Sequence, residues 1–266
     1  MKGRERMTPM IRRAVLVSRL FSTLSFFGLL LCSPEEVFSQ TAPANNHFKC
    51  YDTEGKQVAD PAVLLRDQFD PAGALKETKV FKAIRFCNPA AKTTEDGFVT
   101  PIADPFLHLT LYLTAPTELA PTRRVVVRNQ FGQQRLHVYS PIILAVPTRK
   151  NDMPASNNND HYKCYSASGR SLRLGVELED QFTEGDPQPA RVFRPRLFCN
   201  PTEKRHGTVI APIQNPQNHL LCYTMQTKDL SAEARVANQF ETEPLTFARP
   251  DLLCVPTAKI RVSVIQ

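Results

Sequence analysis

Four histidines recur at matched places in this chain, His47, His108, His161 and His219, each with a tyrosine four residues on. In three of the four phrases a cysteine stands between them: HFKCY at 47–51, HYKCY at 161–165 and HLLCY at 219–223, against HLTLY at 108–112. A second cysteine follows each of those three, at Cys87, Cys199 and Cys254. Histidine and cysteine together offer two chemistries. As thiolate and imidazole they could hold zinc; as paired sulfurs they would close disulfides. The spacing lacks a C-x-x-C knuckle, and the second phrase keeps His108 while Leu111 and Ala145 occupy both cysteine columns. Loss of both sulfurs together is what bonding between the two columns requires, since a lone survivor would be a stranded thiol. Three disulfides are therefore expected, Cys50 with Cys87, Cys164 with Cys199 and Cys222 with Cys254, and no metal ligand is assigned. A histidine needed four times over also reads as scaffold, its two ring nitrogens satisfying backbone groups at a strand start.

The phrases open a repeat. Each is followed by an Asx-Gln-Phe triplet (67–69, 129–131, 180–182, 238–240) and closes on a proline-lysine phrase: CNPAAK at 87–92, AVPTRK at 145–150, CNPTEK at 199–204 and CVPTAK at 254–259. Four units result. Units one and two are joined by PIADPFLH and units three and four by PIQNPQNH, so the units pair into two copies. The stretch NDMPASNNND, 151–160, reads as a linker between repeat domain 1 (47–150) and repeat domain 2 (161–266).

Within each unit, period-two patterning defines a strand before the triplet. Val63 and Leu65, Val125 and Val127, Val176 and Leu178, and Ala234 and Val236 share one face of it. The Asx of the triplet breaks the alternation and can turn the chain through its own backbone. The triplet's phenylalanine is expected in the core and its glutamine on backbone. A further strand precedes the closing phrase, with Val80, Val138, Val192 and Phe247 in one column and Phe86, Leu144, Phe198 and Leu253 in another. Pro141, Pro195 and Pro250 recur within it, so it is expected at an edge or with a bulge. With the opening strand, each unit supplies about three strands. The fold class expected is all-β: two homologous small sandwich- or barrel-like domains, each of two similar half-units. Twenty-two prolines against ten glycines, and no tryptophan, fit short strands closed by turns rather than helices.

The first 39 residues read as a signal peptide: six basic residues, an apolar stretch from Leu20 to Leu31, and a cut after Ser39. That stretch is shorter than the roughly 20 residues a bilayer span needs. An N-terminal anchor extended through Arg19 and a lipoprotein at Cys32 are the alternatives; Leu31, where a small residue is normal, argues against the second. Residues 40–46 form a short N-terminal segment, and the mature chain carries no transmembrane segment. The leader holds six Lys or Arg and three Asp or Glu, so its removal lowers the net charge from +7 to about +4. Too few basic residues then remain in any one stripe for nucleic acid to be a partner.

No G-x-S-x-G, H-E-x-x-H or phosphate-cradling glycine loop is present, so no catalytic, cofactor-binding or metal residue is assigned. Glu177 and Glu179 share a strand face opposite the apolar column and read as solvent-facing. The recurrent Lys92, Lys150, Lys204 and Lys259 read as solvated edge charges that block aggregation. Non-recurrent Arg123, Arg124, His137 and His206 are where a site would be sought.

The set H-x-x-C-Y, D/N-Q-F and C-x-P-x-x-K, spread over 47–259, resembles an uncharacterised family of secreted bacterial β-domains of unknown function. The resemblance implies an extracytoplasmic setting and a disulfide-bearing repeat. The reading is an exported tandem-repeat protein of periplasm, cell surface or medium. It would be a non-catalytic binding or structural module for an extracellular or envelope ligand. The alternative is a secreted hydrolase with its site between half-units or domains. A binding module should expose a matched patch in both copies, and an enzyme a pocket of convergent ionisable groups in one.

Overall fold

The computed structural model describes residues 45–158 and 160–265. The leader expected at 1–39, with Cys32, lies outside the described residues. The described residues lie in one compact unit, and among them there is no helix.

Each unit opens with one strand: β1 (His47–Asp52), β5 (His108–Pro116), β8 (His161–Ser168) and β12 (His219–Thr227). A second strand ends near the Asx-Gln-Phe triplet: β2 (Ala62–Asp67), β6 (Arg123–Asn129), β9 (Leu174–Asp180) and β13 (Ala232–Ala237). A long strand closes the unit: β3 (Lys76–Thr94), β7 (Gly132–Lys150) and β10 (Gln188–His206), divided in unit four into β14 (Thr242–Phe247) and β15 (Pro250–Val264). Short strands β4 (Val99–Thr100) and β11 (Val209–Ala211) fold back on β3 and β10.

The opening and closing strands alternate around a ring. β1 pairs with β3, β3 with β5, β5 with β7 and β7 with β8. Then β8 pairs with β10, β10 with β12, β12 with β15 and β15 again with β1, all antiparallel. The all-β reading and the two copies of two half-units stand, and the two copies share one closed sheet. Pairings β7–β8 and β15–β1 cross from one copy to the other. Closure leaves the ring without an edge. That is why four units fold together: any two would expose unpaired strands on both sides.

The second strands tie opposite units. Besides pairing in its own unit, β2 adds to β10 (Leu65↔Lys204) and β9 to β3 (Leu178↔Lys92). Likewise β6 adds to β15 (Val127↔Lys259) and β13 to β7 (Val236↔Lys150). Unit one is thus laced to unit three, and unit two to unit four.

Three apolar clusters follow from this layout. One is lined by Phe48, Leu109, Tyr162 and Leu220 with the six described cysteines, and with Leu111 and Ala145 of unit two. Cys50 is bonded to Cys87, Cys164 to Cys199 and Cys222 to Cys254. Leu111 faces Ala145 across β5 and β7, filling the place a disulfide holds elsewhere. The other two clusters gather the β2, β6, β9 and β13 apolar columns over the tyrosines and the Phe86/Leu144/Phe198/Leu253 column. All eight residues of the second-strand columns are buried.

The prolines mark bulges in central strands, not edges. β7 pairs with β6 as far as Val138 and with β5 from Ile143, and its register against β8 shifts on both sides of Pro141. Pro195 sits at the same kind of shift in β10, and Pro250 starts β15 after the break that follows Phe247. A residue placed where a strand exchanges one neighbour for another gives up little by lacking an N–H.

Candidate functional site

The four Asx residues form the turn that their chemistry allows. Oδ1 of Asp67, Asn129, Asp180 and Asn238 accepts the backbone N–H of the phenylalanine two residues on, at 2.8, 2.9, 3.1 and 2.9 Å. The other side-chain atom of each meets a tyrosine of the opposite unit. Tyr165 donates to Asp67 at 2.9 Å and Tyr51 to Asp180 at 2.7 Å, while Asn129 donates to Tyr223 at 2.9 Å and Asn238 to Tyr112 at 2.8 Å. The tyrosine at the end of each opening phrase is therefore the partner of an Asx two units away. Fixed spacing within every unit was the only sequence sign of it.

The lysines overturn the expectation of solvated edge charges. Lys92 and Lys204 are fully buried and Lys150 nearly so. Each ammonium lies over the triplet phenylalanine of the following unit: Lys92 over Phe131, Lys150 over Phe182, Lys204 over Phe240 and Lys259 over Phe69, at 5.4, 4.7, 5.2 and 5.1 Å from the ring centre. Burial lowers all four to about 8. The cause of the difference is closure: a second strand from the opposite unit covers what would have been an exposed strand end.

The histidines join the same belt. Nε2 of His47 bonds Gln130 Oε1 at 3.0 Å, and Nε2 of His108 bonds Gln181 Oε1 at 2.9 Å while its Nδ1 contacts Phe106 O. His161 pairs with Gln239. These glutamines thus serve histidines of the preceding unit, while Gln181 also donates to the Pro105 carbonyl and Gln130 to the Thr100 hydroxyl, each at 2.9 Å. The cycle breaks at His219, because Gln68 is taken by Lys259 and the Pro216 carbonyl. Neither ring nitrogen of His219 has a hydrogen-bond partner, and its ring stacks on Phe198 at 5.8 Å. A buried polar group without partners costs about 1–3 kcal/mol. His219→Phe, which keeps the stack, is expected to stabilise the chain by about 1 kcal/mol, read as a rise in Tm; a fall would show that the imidazole is satisfied after all.

With these groups turned inward, the exposed features differ from the repeat. Beside the β3–β4 hairpin lies a groove of about 630 Å³ lined by Thr93, Glu95, Glu177, Arg191 and Gln226 among others. Glu95 Oε1 accepts the Gly175 N–H at 3.1 Å. A Cβ at Gly175 would crowd that oxygen, so a larger residue there would displace the Glu95 carboxylate from this contact. A second hollow of about 560 Å³ shares Glu95 and Gly175 and adds Phe98, Gln130 and Phe131. Glu177 faces this groove from the solvent side of β9, as its alternation required.

Both copies also expose an apolar pair on their short hairpins. Phe98 and Val99 are 61% and 57% exposed, and Val209 and Ile210 are 59% and 57% exposed. Each pair ends two residues before the proline of the matched PI of the joining segment. The non-recurrent residues singled out from sequence do not gather. Arg123 is buried against Phe69, donating to its carbonyl at 2.9 Å; Arg124 and His137 face each other on exposed strand positions; His206 pairs with Asp60 at 3.1 Å.

Among the described residues no helix is long and apolar enough to cross a membrane, and no cluster of three or more metal-ligating side chains is found. A family model described as a repeat of unknown function (DUF7450) matches residues 108–256. No curated protein matches the chain, and no solved structure does. The match runs from the opening histidine of unit two to the closing proline phrase of unit four, more than half of the chain, so the chain belongs to this family of repeats of unknown function.

Proposed function

We propose that this disulfide-stabilised repeat protein is an exported, non-catalytic binding module of a bacterial envelope or extracellular space, with residues 1–39 removed on export. The observation that carries the reading is the matched exposed pair, Phe98-Val99 and Val209-Ile210, one on each copy. Two contacts on one chain gain avidity beyond either alone. Three disulfides suit an oxidising compartment, where such bonds persist. The recurrent His, Lys, Gln and Asx residues are taken up in holding the ring, which leaves recognition to what each copy exposes.

The test is co-sedimentation of the purified mature chain with intact cells and isolated envelopes of its source. Phe98→Ser and Ile210→Ser singly are expected to weaken retention. The double variant should lose on the order of 100-fold, the scale avidity supplies. Retention of the double variant at the level of the parent would remove the hairpins from the reading.

The groove favours a second reading, a secreted hydrolase with its site between the copies, because Glu95 of the first copy meets Glu177 and Arg191 of the second in its lining. Turnover of a chromogenic ester or glycoside panel that Glu177→Gln abolishes would establish that reading in place of the first.

A further inference from the structure

The belt of lysines, three buried and Lys259 half-buried, is not four-fold uniform. Lys150 Nζ lies 3.3 Å from Asn88 Oδ1, and the other side of the same amide, Nδ2, donates to Asp180 Oδ2 at 3.2 Å. The related place holds Lys259 Nζ 3.5 Å from Asn200 Oδ1, with Asn200 Nδ2 donating to Asp67 Oδ2 at 3.1 Å. Asn88 and Asn200 are fully buried, and Asp67 and Asp180 nearly so. The other two places differ in two positions at once. Val146 and Val255 stand where the asparagine would be, Asn129 and Asn238 where the aspartate would be, and Lys92 and Lys204 Nζ have no hydrogen-bond partner. Amide and carboxyl are present together or absent together, like the two cysteine columns of unit two.

We propose that the two complete places close covalently, Lys150 joined to Asn88 and Lys259 joined to Asn200 by isopeptide bonds that the chain forms on itself. The chemistry is transamidation. The neutral lysine amine attacks Asn Cγ, the Nζ–Cγ bond forms, the Cγ–Nδ2 bond breaks and ammonia leaves. One proton passes from Nζ through the aspartate carboxyl to Nδ2. Atoms balance with no oxidant or cofactor, and the new amide keeps one N–H. The contacts place the reacting groups: the lysine stands on the carbonyl side of the amide, and the carboxyl stands against the leaving nitrogen; Lys259 must also release Gln68 to attack. Burial supports the nucleophile, since a lysine lowered to about 8 holds a substantial neutral fraction near neutral pH. Burial also raises Asp67, which favours the protonated carboxyl that the leaving amine needs.

The positions of the two bonds suit the ring. The first would tie β3 to β7 across β5, the one opening strand that has no disulfide. The second would tie β10 to β15 across β12.

Intact mass decides the matter on purified full chain first shown to hold its three disulfides, then fully reduced. The expected mass is that of the residues the purified chain contains, its first residue identified, less two ammonias. Tryptic peptides carrying Lys150 and Asn88 should travel as one species, as should those carrying Lys259 and Asn200, with Lys92 and Lys204 peptides unlinked. Asn88→Val introduces the residue the chain itself carries at Val146 and Val255, and should restore one ammonia only. Asp180→Asn mimics Asn129 and Asn238 and should likewise leave the first pair unjoined. A reduced mass equal to that of the residues the chain contains, with free Lys150 and Lys259 peptides from disulfide-complete protein, overturns the proposal. So does a bond that survives Asp180→Asn at unchanged yield, since the carboxyl would then have no part in it.

Discussion

Full reduction of the three disulfides is expected to unfold the ring at room temperature. Each bond closes a loop with a sequence separation of 37, 35 or 32 residues. In the chain-entropy model, loops of that length contribute about 4 kcal/mol each. The three loops do not overlap, so their effects on the unfolded chain are nearly independent. Together they are of the order of 12 kcal/mol, the scale of a whole domain's stability at about 5–15 kcal/mol. Unit two shows how one bond can be given up. Replacing Cys50 and Cys87 by Leu and Ala copies the Leu111/Ala145 pair of the same apolar cluster and retains the packing. That double variant should stay folded and lose about 4 kcal/mol, the loop term alone. Cys50→Ser with Cys87→Ser should lose more, because two hydroxyls then enter a cluster of Phe48, Leu109 and Leu111. Denaturant melts of the two variants against the parent measure the difference, and equal losses would mean that packing at this place is irrelevant. The proposed isopeptide bonds restrain β3 and β10 independently, so Asn88→Val with its disulfides intact should melt more readily than the parent.

Acid is the second condition with a large expected effect. Burial lowers His47 and His219 from 6.5 to about 3 and His108 to about 4. Between those values and 6.5 the unfolded chain binds protons that the folded chain does not. Stability is therefore fully present above pH 6.5 and is lost as pH falls toward 3. Each pK unit is worth about 1.4 kcal/mol. The three histidines together cost on the order of 10 kcal/mol at the bottom of that window, enough to unfold a domain of ordinary stability. A pH titration of circular dichroism with disulfides intact should show a cooperative loss of strand signal below about pH 4, near the lowered histidine values. His219→Phe removes one contribution and should move the midpoint to lower pH. A midpoint that does not move would mean that His219 remains charged in the fold.

The local rules in this sequence were legible because they act over a few residues. The alternation of Val125 and Val127 placed them on one face, and they are buried there. The short side chain of Asp67 can reach its own backbone two residues on, and it does so at 2.8 Å. The sequence could also speak for the cysteine columns, because unit two lost Cys from both at once. The recurrence of four units announced that equivalent contacts would be made four times.

What tertiary structure alone decided is which unit makes those contacts with which. A repeat specifies that a strand has an apolar face; it does not say whose strand will cover it. Closure of eight strands into a ring, with β2 laid on β10 and β9 on β3, is a long-range outcome that removes every ring edge together. From it follows the burial of Lys92 and Lys204, which in an open sheet would sit at a solvated strand end. The pairing of Asn88 with Lys150 and Asp180, residues of units one, two and three, follows likewise. Their meeting depends on the ring closing with all four units in one register, and no spacing within any one unit encodes it.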